Sequence, residues 1–173
     1  MREAPAPGWA RWLMVSAAIV ALDLATKAWV SRALSYGDVI PVTPFFNLIL
    51  THNTGAAFSF LAGAGGWQRW FFTAVAVVIS VVLVVMLRRP HLDRVVPLAL
   101  SLVLGGAVGN LWDRVTLGHV VDFIQLHAGG YYWPAFNVAD SAICVGVALL
   151  IWDGVRGSGR KPGNTKEAKE LKA

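Results

Sequence analysis

Four long apolar segments divide the chain, and polar residues, prolines and glycines concentrate between them. The pattern predicts helices at about residues 12–29, 70–87, 95–112 and 137–152, each of 16 to 18 residues. At 1.5 Å per residue these helices would be about 24–27 Å long, close to the roughly 30 Å hydrocarbon core of a bilayer. We therefore expect an integral membrane protein that is mainly α-helical, with four transmembrane helices.

The regions between these segments show other patterns. Residues 39–42 and 45–51 are β-type runs broken by prolines, which predicts a small sheet in the first long region. Residues 62–66 are rich in glycine and predict a flexible turn. The second long region, residues 113–136, is expected to be a loop, and the basic tail at about residues 154–173 is expected to be flexible.

The composition supports this class of protein. Hydrophobic residues make up 56% of the 173 residues and charged residues 14%, and the mean hydropathy is +0.57. These values are too apolar for an ordinary soluble domain, and the length allows a single domain, residues 1–173. The one cysteine, Cys144, excludes an internal disulfide.

Basic residues are distributed unevenly along the chain. Most of the 15 Lys and Arg residues lie at the two termini or at residues 88–94. By the positive-inside rule, this asymmetry predicts that both termini are cytoplasmic and that the two longer regions face outward. We interpret the net charge of +5 as a marker of topology, and we expect no nucleic-acid partner.

Polar residues inside the apolar segments fall at similar depths. Counted from the basic residues at the cytoplasmic ends, Asn110, Asp140 and Lys27 each lie about 24 Å up their helices, and Asp23 lies about 18 Å up. Charged side chains are costly within a bilayer, so each is a candidate functional residue. The depths predict one polar cluster in the outer third of the membrane.

Two short spacings near this cluster each allow two interpretations. Asp23 and Lys27 are four residues apart and share a helical face, either as a structural ion pair or as a pair that orients substrate. Asn53 and Gly55 lie in a run of small residues, which is either an ordinary turn or a place where backbone approaches a ligand closely.

The third apolar segment carries a similar ambiguity near its end. Asn110, Asp113 and Arg114 share a face, either as a cap at the membrane interface or as part of a site. Gly105 and Gly109 form a small-xxx-small step, which predicts close helix packing. Such packing would let Asn110 approach neighbouring helices.

Two carboxylates, Asp122 and Asp140, are the candidate catalytic residues. Asp122 interrupts an apolar run and needs a partner, while Asp140 is expected in the first turn of the fourth helix, where the helix dipole favours a carboxylate. A loop hydrogen bond and a helix cap are the alternative roles. Two close carboxylates in a low-dielectric site tend to share one proton, so one can activate water and the other can protonate a leaving amine. This pattern favours peptide hydrolysis that needs no metal or cofactor.

Other catalytic chemistries fit the sequence less well. It contains no His-Glu-x-x-His zinc motif and no Gly-x-Ser-x-Gly motif. Lys27 and Ser31 have the spacing of a Ser-Lys pair, but the lysine already has a carboxylate four residues earlier. His52, His119 and His127 share no metal-ligand spacing.

Two classes of non-enzymatic function are the alternatives. An ion or proton carrier would place charges across the whole membrane thickness, whereas the inner two-thirds of the last three predicted helices carry almost none. A membrane scaffold would leave the clustering of the acids unexplained.

Five short stretches of the chain, taken in order, are similar to the motifs of a known family. They are residues 23–27 (DLATK), 53–58 (NTGAAF), 105–114 (GGAVGNLWDR), 120–123 (VVDF) and 136–140 (FNVAD). In these stretches the chain resembles the prolipoprotein signal peptidases, or signal peptidases II, of bacteria. The resemblance spans residues 23 to 140 and leaves out the head and the basic tail.

The resemblance implies an aspartyl endopeptidase of the cytoplasmic (inner) membrane, with its active site near the outer face. It implies four transmembrane helices, a small outer β-cradle, and a short amphipathic helix that residues 125–133 fit only loosely. The implied substrates are prolipoproteins in the membrane, cut just before a diacylglyceryl-modified cysteine. The implied inhibitor is the cyclic peptide globomycin, and we expect a monomer without a cofactor or metal.

The resemblance also assigns roles to individual residues. Asp122 and Asp140 become the catalytic pair. The residues implied to bind substrate or shape the site are Asn53, Gly55, Asn110, Asp113, Arg114 and Asn137. Those implied to support the fold or the site are Asp23, Lys27, Gly105 and Gly109.

Overall fold

Four long helices form the body of the protein in the computed structural model, which describes residues 8–55, 65–90 and 93–158. These are α1 (Ala10–Ala33), α2 (Trp67–Leu87), α3 (Val95–Thr116) and α4 (Val138–Ser158). All four are long and apolar enough to cross a membrane, which confirms the predicted class. They contain 21 to 24 residues, which corresponds to about 32–36 Å at 1.5 Å per residue.

Helix α2 ends at Leu87 and α3 begins at Val95, as predicted, but the other predicted ends are wrong by one to six residues, and every helix is longer than its apolar run. For example, α3 continues to Thr116 rather than ending at residue 112, and α4 continues to Ser158 rather than residue 152. Hydropathy marks where a segment stops being apolar, whereas helical hydrogen bonding can continue through the polar residues that flank it. Residues 154–158, expected in the flexible tail, are helical, and residues 159–173 lie outside the described part.

A four-stranded antiparallel sheet lies at one end of the helices. Its strands are β1 (Val39–Thr43), β2 (Phe46–Asn53), β3 (Val120–Ala128) and β4 (Tyr131–Tyr132), paired in the order β1-β2-β3-β4. The β1–β2 hairpin confirms the small sheet predicted from residues 39–51. Strand β3 comes from residues 113–136, which were expected to be a loop. The sheet therefore joins the two longer regions between the helices.

The expectation of a short amphipathic helix at residues 125–133 is wrong. Gln125 and Leu126 instead continue β3, opposite Asn47 and Phe46 of β2. The side-chain amide of Asn47 donates a hydrogen bond to the side-chain carbonyl of Gln125 at 3.0 Å. Gly129 and Gly130 then turn the chain into β4 with φ angles of 55° and 85°, which favour glycine. Most of the residues expected in the amphipathic helix therefore belong to the paired strands β3 and β4.

The predicted glycine-rich turn is only partly described. Gly65 and Gly66 have φ angles of 76° and 98° immediately before α2 begins at Trp67. Left-handed backbone of this kind suits glycine at a helix start. Residues 62–64 lie outside the described part of the chain.

Helix α3 lies at the centre of the bundle and packs against the other three helices. Within its apolar span 61% of the residues are buried, against 22% or less in the other helices. At one end its leucines pack with those of α2 in a cluster formed by Leu83, Leu87, Leu100 and Leu104. At the sheet end a second cluster is formed by Val30, Leu50, Val121 and Phe123.

Glycines let α3 approach two neighbouring helices closely. A Cβ atom added at Gly105 would lie 2.8 Å from the backbone carbonyl of Ser16 and 2.8 Å from Cβ of Ile19, both on α1. A Cβ at Gly109 would lie 2.7 Å from Oδ2 of Asp23. Real Cβ atoms do not come this close, so only glycine allows α1 and α3 to pack in this arrangement.

We expect Gly105→Ala to destabilise the protein. Alanine is the better helix former by about 1 kcal/mol, but overpacking against the α1 backbone costs about 1–3 kcal/mol. The melting temperature in detergent should therefore fall. The matched control is Gly154→Ala in α4, where an added Cβ meets no atom within 4 Å, and its melting temperature should stay constant or rise. Equal melting temperatures for the Gly105 variant and the native protein would contradict the close packing.

Candidate active site

A buried ammonium group organises the polar residues between the helices. Nζ of Lys27 lies 2.7 Å from Oδ2 of Asp23 and 3.0 Å from Oδ2 of Asp113, and it donates a hydrogen bond to Oδ1 of Asn110 at 3.0 Å. Asp23 and Lys27 share a face of α1, as the four-residue spacing predicts, and that face contacts α3. The cluster therefore holds one cation between two carboxylates.

The two carboxylates of this cluster extend it to other elements. Oδ1 of Asp23 accepts a hydrogen bond from the backbone N–H of Ala139 in the first turn of α4, at 2.9 Å. Oδ2 of Asp113 accepts one from the backbone N–H of Val121 on β3, at 3.1 Å. One charge cluster thus connects α1, α3, α4 and the sheet.

Asp140 lies at the start of α4 in a reciprocal cap with Asn137. The backbone N–H of Asp140 donates to Oδ1 of Asn137 at 2.9 Å, and the backbone N–H of Asn137 donates to Oδ2 of Asp140 at 3.2 Å. This is the geometry of a capping box, with asparagine and aspartate in the two positions. Nδ2 of Asn110 donates to the other oxygen, Oδ1 of Asp140, at 2.8 Å. Asp140 is therefore both a cap and part of the polar cluster.

Asp122 lies on strand β3 and is 2% exposed. Its Oδ1 accepts a hydrogen bond from Nδ2 of Asn137 at 2.7 Å, and its Oδ2 accepts one from Nδ2 of Asn53 at 3.1 Å. The expected alternative, a hydrogen bond within a loop, does not describe it, because its partners come from β2 and from the start of α4.

Asn137 connects the two candidate catalytic carboxylates. It is completely buried; its side chain contacts Asp122, and its backbone N–H contacts Asp140. The same Nδ2 also lies 3.2 Å from Oδ1 of Asn110. In the sequence Asn137 is 15 positions from Asp122 and 27 positions from Asn110, and the fold brings the three side chains together.

The environment of Asp122 changes its acidity. Burial, followed by the nearby charge of Asp140, raises the pKa of Asp122 to about 7, and the hydrogen bonds from Asn53 and Asn137 oppose this rise. The Asp122 carboxyl group is therefore more readily protonated near neutral pH than an ordinary aspartate. The site can hold a carboxylic acid beside a carboxylate, which is the arrangement needed for general acid–base catalysis.

An apolar cleft of about 1110 Å³ reaches Asp140 and also Asn53, the hydrogen-bond donor to Asp122. Its walls come from α2, α3, α4 and the sheet, and Asn53, Asn110, Arg114 and Asp140 are among its polar lining residues. A second cavity, of about 660 Å³, lies between α1, α2 and α3 and does not include the candidate carboxylates. The first cavity is therefore the candidate substrate cleft.

Arg114 closes one side of this cleft. Its Nη2 donates a hydrogen bond to the backbone carbonyl of Gly55 at 3.0 Å, and its guanidinium lies 5.5 Å from the ring centroid of Phe72. Gly55 in turn donates its backbone N–H to Oδ1 of Asn53 at 2.9 Å. The first three residues of the 53–58 motif therefore lie at the site, and residues 56–58 lie outside the described part.

The fold thus gathers ten of the twelve residues singled out from the sequence. The ten are Asp23, Lys27, Asn53, Gly55, Asn110, Asp113, Arg114, Asp122, Asn137 and Asp140. Gly109 packs against the side chain of Asp23 at the edge of the cluster, while Gly105 lies one turn away against the α1 backbone. The glycines contribute helix packing rather than polar groups.

Sequence reasoning missed Arg69, whose side chain donates to two backbone carbonyls of α3. The sequence offers one signal for it, a three-residue spacing to Phe72 that places both side chains on one face of α2. Sequence reasoning also did not foresee that Cys144 and His127 line the cleft.

The histidines considered as metal ligands do not gather. The rings of His52 and His119 stack with centroids 3.9 Å apart, whereas His127 stacks on Tyr132. Among residues 8–55, 65–90 and 93–158, no group of three or more His, Cys, Asp or Glu side chains could hold a metal ion.

Comparisons with known proteins give a consistent result. A family model described as signal peptidase (SPase) II matches residues 15–156. Two proteins called lipoprotein signal peptidase are close relatives. The one from Azoarcus sp. (strain BH72) is 52% identical over 87% of this chain and 86% of its own length, and the one from Cupriavidus taiwanensis is 54% identical over 84% and 82%.

Two solved structures have a similar fold. One described as a bacterial membrane enzyme determined by the in meso method at 2.3 Å resolution is 31% identical, with a TM-score of 0.81. The match covers 95% of this chain and 100% of that chain. A second with the same description, at 1.9 Å, is 32% identical with a TM-score of 0.74, over 88% and 97%.

We expect Lys27→Met to be strongly destabilising. The change leaves the carboxylates of Asp23 and Asp113 buried without their cation, and removing one partner of a buried ion pair costs about 3–5 kcal/mol. Thermal unfolding in detergent should show a large fall in melting temperature. Arg32→Gln is the control, because Arg32 is exposed at the end of α1, and it should unfold like the native protein. Native-like unfolding of Lys27→Met would mean that the cluster is not needed for the fold.

Proposed function

This chain belongs to the signal peptidase II family, and from that premise we propose that it is an aspartyl endopeptidase that removes signal peptides from lipid-modified prolipoproteins. The observation that carries the proposal is the pair of carboxylates, Asp122 and Asp140, joined through Asn137, with Asp140 lining an apolar cleft. The cleft lies among helices apolar enough to span a membrane, so it suits a membrane-embedded peptide.

In the proposed mechanism the two carboxylates have different protonation states. Asp140 is the general base, because the N-terminus of α4 and the two N–H donors from Asn110 and Asn137 favour its ionised form. Asp122 is the general acid, because its raised pKa of about 7 keeps it partly protonated. Asp140 takes a proton from water, which attacks the peptide carbonyl carbon, and Asp122 gives its proton to the leaving amine as the C–N bond breaks.

The remaining site residues position these two groups and the substrate. Asn53 and Asn137 hold the carboxyl group of Asp122, and Asn110 holds that of Asp140. Arg114 fixes the backbone of Gly55 at the edge of the cleft, where a small residue lets a peptide backbone approach closely. Asp113 supports the site through Lys27 and β3 rather than through a direct contact with either acid.

The proposed substrate is a prolipoprotein whose diacylglyceryl chains stay in the lipid while the peptide enters the cleft. Lipid anchoring would then set the depth of the bond that is cut, just before the modified cysteine. The polar cluster lies near one end of the four helices, at the end that carries the sheet. With both termini cytoplasmic, as the basic residues indicate, this end faces the outer side of the cytoplasmic membrane.

The proposed enzyme acts as a monomer. A globomycin-type cyclic peptide is the expected inhibitor, and it would compete for the same cleft. Neither proposal requires a metal or an added cofactor.

We expect Asp122→Asn and Asp140→Asn each to lower cleavage of a lipidated precursor by about 10²–10⁴-fold, the usual contribution of general acid–base catalysis. The amides keep the size of the side chains but cannot transfer the proton. Cleavage is measured in detergent or liposomes, and mass spectrometry of the product locates the bond that is cut.

Asp38→Asn is the control for these variants, because Asp38 is exposed and its carboxylate accepts a local hydrogen bond from the backbone N–H of Ser35. It should cleave normally. Full activity in either Asp122→Asn or Asp140→Asn would end the two-carboxylate mechanism. Ion flux through liposomes with no proteolysis by the native protein would favour a carrier instead.

The dependence of cleavage on pH should follow the acidity of Asp122. Raising the pH through about 7 removes the proton from the proposed general acid, so kcat/KM should fall above that pH by about tenfold per pH unit. Lowering the pH below 7 keeps Asp122 protonated, and activity should hold until Asp140 is protonated as well. A rate that keeps rising from pH 7 to pH 9 would contradict this assignment.

A further inference from the structure

Arg69 binds the last turn of α3 through two hydrogen bonds. Its Nε donates to the backbone carbonyl of Arg114 at 2.7 Å, and its Nη2 donates to that of Val115 at 2.7 Å. The last four carbonyls of a helix have no partner within the helix. The guanidinium therefore satisfies two of them at once, with a fixed fork that the single ammonium of lysine does not reproduce.

The same face of α2 also holds the side chain of Arg114. Phe72 follows Arg69 by three residues, so the two side chains are neighbours on the helix surface. The Arg114 guanidinium lies over the Phe72 ring at 5.5 Å. Helix α2 thus fixes Arg114 at both its backbone and its side chain.

A continuous series of hydrogen bonds leads from Arg114 to Asp122. Nη2 of Arg114 donates to the carbonyl of Gly55 at 3.0 Å, and the N–H of Gly55 donates to Oδ1 of Asn53 at 2.9 Å. Nδ2 of Asn53 then donates to Oδ2 of Asp122 at 3.1 Å. Each link holds the next group in place, so the position of the Arg114 backbone affects the partner of a candidate catalytic carboxylate.

The chain around Arg69 leaves room for its guanidinium. Gly118, just beyond the end of α3, has a φ angle of 85°, and a Cβ atom there would lie 3.2 Å from Nη1 of Arg69. The guanidinium also lies 4.9 Å from the ring centroid of Trp70. Arg69 is therefore held in a defined place, unlike a surface charge that only marks topology.

We propose that Arg69 is a positioning residue of the active site, which acts through Arg114, Gly55 and Asn53 to hold the hydrogen bond to Asp122. The inference rests on the proposed function, since it concerns the same carboxylate. Arg69 contacts neither carboxylate directly, so it has no role in proton transfer.

The test compares Arg69→Gln and Arg69→Lys with the exposed-site control Arg32→Gln. Arg69→Gln should lower kcat/KM for a lipidated precursor by about tenfold, the scale of an effect transmitted through a packed network. Arg69→Lys should restore part of the loss, because it keeps the charge and can still donate to one of the two carbonyls. Arg32→Gln should match the native enzyme.

The pH profile separates positioning from general loss of stability. A hydrogen bond from Asn53 favours the ionised form of Asp122, so a looser bond should move the upper limb of the profile to higher pH in Arg69→Gln. The other titratable and charged groups around Asp122 are not substituted in this variant. They are Lys27 on α1, Asp113 and Arg114 on α3, and Asn137 and Asp140 at α4.

A double variant tests the route. In an Asn53→Ala background the series of hydrogen bonds from Arg114 to Asp122 is already broken. Adding Arg69→Gln should therefore cause no further shift of the upper limb of the pH profile. An Arg69→Gln enzyme that keeps the native profile, or one that shifts it equally with and without Asn53, would overturn the proposal. If the native chain cleaves no precursor, the proposed function fails first, whereas native cleavage with an unaffected Arg69→Gln variant refutes only the role of Arg69.

Discussion

The buried ammonium group of Lys27 is the contact on which the rest of this structure depends. It lies between the carboxylates of Asp23 and Asp113, and all three side chains are at most 4% exposed. An unpaired charge buried between helices costs several kcal/mol, so removing any one of the three charged side chains would destabilise the protein. Because the carboxylates also accept hydrogen bonds from the backbones of α4 and β3, this one cluster sets the positions of three helices and a strand.

The groups that stabilise the start of α4 are the same groups that form the candidate site. Asn137 and Asp140 cap the helix through reciprocal hydrogen bonds, and Asn137 also reaches Asp122. The two carboxylates therefore have unlike environments, one at a helix N-terminus and one buried on a strand with a raised pKa. Paired carboxyl groups in different environments can take different roles in acid–base catalysis.

Helix α2 has a different relation to the bundle from that of the other helices. Only 11% of its apolar span is buried, and it packs mainly against α3. One side of it lines the cleft through Phe72, Val75 and Ile79. Because so little of α2 is buried, polar contacts contribute to its position, and Arg69 makes such contacts where α2 meets the end of α3.

The sequence by itself determined the four membrane helices, the hairpin of β1 and β2, and the residue types gathered near one depth. These follow from hydropathy and spacing, which are local properties of the chain. It did not determine strand β3, because pairing with β2 decided that Gln125 and Leu126 extend a sheet rather than form an amphipathic helix. Nor could spacing show that Asn137 joins Asp122 to Asp140, or that Arg69 reaches the carbonyls of Arg114 and Val115. Those contacts join residues up to 46 positions apart, and only the packing of α3 against its neighbours brings them within hydrogen-bond distance.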